Sequence, residues 1–170
     1  MGSVELAIPI DVPWRVDFSG QSLKACLSPD GSATLEFVAY YGPTDLNEDP
    51  GELKGRPQYP VRIVVIELKY VLHFEWKHKF DEGSSRRDEV DLSRIPFRLK
   101  DFKSVSEYEK AWSALGKCPD PMVYRIQNSN LLNSLVAKGV IESGYFIHLL
   151  VVSRNATVDG VCNEWEWRKA

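Results

Sequence analysis

The stretch from Val61 to Phe80 constrains this chain more than any other. Val64, Ile66, Leu68, Tyr70, Leu72, Phe74, Trp76, His78 and Phe80 share one parity, and Glu67, Lys69, His73, Glu75, Lys77 and Lys79 fall on the other. Alternation with a period of two marks a strand with one buried face. At roughly 3.3 Å per residue, one straight strand of this length would exceed ~60 Å, so it has to bend or bulge, as rolled sheets require. The even-numbered residues from Val64 to Phe74 are expected to face the core. Val61, Ile63 and Val65 make the first part apolar on both faces, so that part is expected to be covered twice.

The residues before it read as shorter strands. Val4, Leu6, Ile8 and Ile10 alternate with Glu5, Ala7 and Pro9, and the prolines confine this strand to an edge. Trp14, Val16 and Phe18 form a second alternating set, and Leu23, Ala25 and Leu27 a third. Ser28-Pro29-Asp30-Gly31 predicts a hairpin turn, after which Ala33, Leu35, Phe37 and Ala39 share a face. Gly42 to Pro60 is a long connection rich in proline and carboxylates, of a length that in compact domains goes with function or mobility. Asp81 to Arg94 reads as a second exposed loop, and Pro96 to Leu99 as a short edge strand.

The period then changes. Ser104 and Glu107 form a capping box, Val105, Tyr108, Ala111, Trp112 and Leu115 follow at helical spacing, and Gly116 stops the helix. Met122 to Ile126 reads as a strand and Asn130 to Lys138 as a second helix ended by Gly139. Tyr145 to Ser153, apolar on both faces, is expected to be a central strand. Ala156 to Trp167 returns after a turn at Arg154-Asn155, with Asp159-Gly160 marking a bulge or second turn. Together these elements predict an α+β fold: a mostly antiparallel, strongly bent or rolled sheet with two helices inserted before a C-terminal β-hairpin. The chain of 170 residues, 44% hydrophobic, is expected to form a single domain over residues 1–170.

Charge and motifs narrow the function. The net charge is −3, and the first 60 residues hold nine acidic against four basic side chains. No segment has the cationic footprint of a nucleic-acid binder, and no apolar stretch approaches the roughly 20 residues of a membrane helix. Three cysteines, Cys26, Cys118 and Cys162, give no paired framework, and the N-terminal residues lack signal-peptide character. The expectation is a cytoplasmic protein that binds neither nucleic acid nor membrane. His73 and His78 lie five apart in a strand, hence on opposite faces, and there is no Cys-x-x-Cys, nucleophile elbow or phosphate loop. No catalytic residue, metal site or cofactor is expected, and His148 reads as a satisfied core histidine.

These exclusions favour a non-catalytic interaction or accessory protein, for example an acidic inhibitor or immunity-type protein. Its partner would be a basic protein, met by Asp45, Glu48, Asp49 and Glu52 and, on the terminal hairpin, by Glu164 and Glu166. One alternative is a small-ligand-binding or hydrolytic rolled sheet. Its cavity would be lined by Trp165 and Trp167, with His73, His148 or the glutamates acting inside it. A cavity above about 300 Å³ with a buried, perturbed carboxylate or His is the expected sign of this alternative. A second alternative is a structural homo-oligomer joined through an edge strand, Val4 to Ile10 or Ala156 to Trp167.

Overall fold

The structure of the protein is a computed structural model that describes residues 4–16, 23–41, 61–78, 86–153 and 156–170. The carboxylates Asp45, Glu48, Asp49 and Glu52, and the expected turns at 19–22 and 154–155, lie outside these residues. Among the described residues the chain forms ten strands and two α-helices. The strands are β1 (Leu6–Pro9), β2 (Trp14–Val16), β3 (Lys24–Leu27), β4 (Ala33–Tyr41), β5 (Val61–Lys69), β6 (His73–His78), β7 (Val123–Gln127), β8 (Ile147–Val152), β9 (Ala156–Cys162) and β10 (Glu164–Lys169). The helices are α1 (Val105–Leu115) and α2 (Asn130–Ala137). Every strand pair is antiparallel. The first sheet runs β1-β7-β8-β9-β6. The second runs β10-β5-β4-β2, with β3 also paired to β4. The fold is α+β, with curled sheets and a C-terminal strand hairpin.

The long alternating run bends, as its length demands. Tyr70 takes a left-handed conformation (φ 53°) between β5 and β6, sending the two halves of the run into different sheets. Backbone bonds hold this corner: Val71 N donates to Gly31 O (2.7 Å) and Leu72 N to Val161 O (2.9 Å). Val64, Ile66 and Leu68 are buried, and Phe74 and Trp76 pack against the same core. Tyr70 and Leu72 do not follow the expected parity, being 66% and 46% exposed. The left-handed residue rotates the chain, so alternation is lost across the corner and resumes beyond it. Val61 and Ile63 are also exposed (48% and 45%), so the second face of β5 is covered at Val65 but not at its start.

A second crossing lies at Asn163, between β9 and β10. Asp159-Gly160 is therefore neither a bulge nor a turn. The register runs through it unbroken, with Leu150 opposite Asp159 and Leu149 opposite Gly160. What the glycine provides is close approach: a Cβ there would lie 3.0 Å from Leu68 Cδ1 of the other sheet. Residues opposite one another across a sheet share a face. The row Ile8–Arg125–Leu149–Gly160–Phe74 thus faces the second sheet. Trp14 anchors the core between the sheets, edge-on to Phe37 (5.4 Å) and Trp167 (5.5 Å).

The first sheet is buried on both faces along β9, all seven residues of which are buried. That places Ala156–Cys162 at the centre of a sheet, so it is no free edge for an oligomer. The edge strand β1 is engaged too, because Ala7 N donates to Asp91 O (2.9 Å) and Asp91 N to Glu5 O (2.8 Å). Ser104 caps α1 by accepting from Glu107 N (3.2 Å), Glu107 accepts in turn from Lys103 N (3.2 Å), and Gly116 ends the helix at φ 72°. α1 buries Tyr108 and Trp112 in a satellite aromatic cluster with Tyr40, Phe97 and Phe102, leaving Val105 and Leu115 exposed. Pro96 to Leu99 is not a strand; it leads into a 3-10 turn at Leu99–Asp101, fixed by Arg98 N donating to Asp101 Oδ2 (2.7 Å).

Candidate functional site

Most chemistry-bearing side chains are committed to structure. Glu164 and Glu166 are exposed on β10. Glu166 pairs with Lys69 (3.1 Å), and Arg168, next along that face, pairs with Glu67 (3.1 Å). The Glu166 carboxylate holds the Lys69 ammonium above its ordinary pKa. This is a solvated lattice of opposite charges, with Trp165 and Trp167 on the other parity. His73 approaches Glu75 (3.8 Å), which also meets Lys77 (3.5 Å). Among the described residues no group of three His, Cys, Asp or Glu side chains is arranged to hold a metal.

One constellation escapes sequence reading. His148, 1% exposed on β8, shares a hydrogen bond with Ser129 Oγ through Nδ1 (2.8 Å) and with Asp159 Oδ1 through Nε2 (2.7 Å). The residue types are those of a hydrolase triad. Their setting is different: all three are buried, and Ser129 Oγ also accepts Leu132 N (3.0 Å) as the N-cap of α2. Buried polar groups need partners, and here each satisfies the next, clamping the start of α2 to the first sheet. His148 is thus the satisfied core histidine expected.

A second network fixes the chain after α1. Asp120, buried, accepts from Tyr124 Oη (2.5 Å) and Arg87 (2.8 Å), with Arg15 at 4.0 Å, and Arg87 Nε donates to Tyr124 Oη (3.2 Å). Cys118 N donates to Val12 O (2.7 Å). The Cys118 thiol is buried, which pushes its pKa up and keeps it protonated. Burial likewise pushes Cys162 up to about 12.

This fixed segment forms one wall of a cleft of about 740 Å³. Its origin lies in the offset of the two sheets. Along the row that faces the second sheet, Leu149 is fully covered, Ile8 half-buried and Arg125 exposed, so cover gives out toward the β1 edge. Trp165, opposite Leu68 on the edge strand β10, borders the opening. Ile8, Ile10, Pro96, Pro119 and Trp165 give the cleft its apolar lining. Arg94, Lys117, Arg125, Gln127 and Asp11 supply the polar groups, and Lys117 is paired with Asp11 at 2.5 Å. Trp165 and Trp167, treated alike by the sequence pattern, part company: Trp165 borders the cleft and Trp167 packs on Trp14. The cleft draws on five separated stretches of chain, and no single stretch carries a signal for it. Neither protein-family models, nor curated proteins, nor solved structures give a match to this chain.

Proposed function

We propose that the protein is a non-catalytic binding protein and that the cleft beside Trp165 receives a small, partly apolar ligand. The observation that carries this reading is the cleft itself: about 740 Å³, lined by apolar side chains, an indole and a few polar groups. Ligand sites of small molecules have this size and character. Binding is favoured over catalysis because the groups best suited to react are occupied elsewhere. Ser129 Oγ caps α2, His148 is sealed beneath it, and the Cys118 thiol is held protonated. A basic protein partner at Asp45, Glu48, Asp49 and Glu52 is a second reading, favoured by four carboxylates within eight positions.

The test is a nuclear magnetic resonance titration of ¹⁵N-labelled protein with benzamide and benzoate. The Trp165 indole N–H is assigned by its loss in Trp165→Phe. Saturable shifts at that indole and at the amides of Ile8, Ile10 and Gln127 are expected. Shifts confined to other surfaces, or none, would overturn the reading.

A further inference from the structure

Resting on that reading of the cleft, we infer that its ligand is a small dianion with a flat apolar body. The cleft margin holds three cations, Arg94, Lys117 and Arg125, and one carboxylate, Asp11. Lys117 and Asp11 neutralise each other at 2.5 Å. Arg94 and Arg125 have no carboxylate partner among the described residues. Three other arginines are matched: Arg87 and Arg15 converge on Asp120, and Arg168 meets Glu67. Two guanidinium groups therefore remain beside an apolar surface, in a chain whose net charge is −3.

A guanidinium offers a planar fork of N–H donors that matches a carboxylate or a phosphate in two parallel hydrogen bonds. The apolar neighbours lower the local dielectric and strengthen such bonds relative to open water. Trp165, half-buried and lining the cleft, carries an indole of the kind that stacks on an aromatic or similarly planar body. The complement of this surface is a planar group bearing two negative charges. Those charges are carried either apart, as in an aromatic dicarboxylate, or at one point, as in an aryl phosphate.

The experiment compares probes of one size and graded charge on the intact protein. Phthalate, isophthalate and terephthalate are titrated beside their neutral diamides and beside phenyl phosphate, with binding read at the Trp165 indole. At least one dianion is expected to bind roughly tenfold tighter than its neutral counterpart, in line with charge-assisted hydrogen bonds. A best fit among the dicarboxylates assigns separated charges, and a best fit for phenyl phosphate assigns a single point. Arg94→Gln and Arg125→Gln, both at exposed positions, should each cut dianion affinity roughly tenfold and leave the diamides unaffected. Asp11→Asn should tighten dianion binding by freeing Lys117. Diamides that bind as well as the dianions would overturn this inference while leaving the cleft reading intact. If no probe of either charge moves the Trp165 indole, both fall together.

Discussion

β9 and β10 are consecutive strands separated by one residue, Asn163, yet they live in different surroundings. All seven residues of β9 are buried, whereas β10 alternates between exposed and half-buried ones. The cause is cover. β9 lies between β8 and β6 in a sheet packed on both faces, while β10 is the edge of a sheet with one face in water. The contrast shows what a charged group costs in each place. On β10, Glu166 stands in solvent and its pairing with Lys69 is incidental to stability. On β9, Asp159 is buried and is held by His148 Nε2, whose Nδ1 is in turn engaged by Ser129 Oγ. The cleft lies between these regimes, where the second sheet ceases to cover the first.

The comparison can be broken most forcefully at the contact between the sheets. Leu68→Ala removes the side chain that meets Gly160, and should cost about 2–5 kcal/mol. Chemical denaturation would read this as a lower midpoint, and Glu166→Gln on the neighbouring strand should leave the midpoint unchanged. A tolerant Leu68 would mean that the sheets are not locked at this point.

A smaller loss is expected on β9 itself. Asp159→Ala strips His148 Nε2 of its buried partner and should cost about 1–3 kcal/mol. Adding His148→Leu removes the orphaned group and should return part of that loss. A double variant no better than Asp159→Ala would show that volume, not hydrogen bonding, governs the site.

A third effect is a pH dependence. The Cys162 thiol is held at about 12 in the folded protein, against an ordinary value of 9.0. Below pH 9 both states keep the proton and the thiol contributes no slope. Between about pH 9 and 12 the unfolded chain releases the proton while the folded one retains it. Stability must then fall with rising pH, by at most about 1.4 kcal/mol per pH unit from this one group. Cys162→Ala should flatten that part of the curve of denaturation midpoint against pH. An unchanged slope would indicate that the buried thiol ionises freely in the folded state.

Much of the local structure was legible in the residues alone. Alternation located β2, β4 and β5 and the buried faces of each. Ser104 and Gly116 fixed the ends of α1 through a cap and a left-handed glycine. Asp30 and Gly31 fixed the hairpin turn, where Asp30 Oδ1 accepts from Ser32 N (3.0 Å) and Gly31 takes φ 82°. These are short-range effects, set by neighbours within a few positions. The length of the Val61–Phe80 run also required a bend, because no straight strand of that span fits a domain of this size.

Residue order sets periodicity and its punctuation, whereas long-range packing sets which faces receive cover. Tyr70 as the corner, with Leu72 thrown outward, depends on Gly31 O and Val161 O accepting from Val71 N and Leu72 N. Gly160 reads as a turn residue in sequence and proves to be a point of contact with Leu68. Ser129, His148 and Asp159 come from a helix cap and two strands, and Ile8, Arg94, Lys117, Arg125 and Trp165 from five distant stretches. Alternation states that a strand has two unlike faces, but whether either face meets a helix, a second sheet or water is set by long-range packing. For that reason the cleft, which is an absence of cover at one sheet edge, left no mark in the sequence.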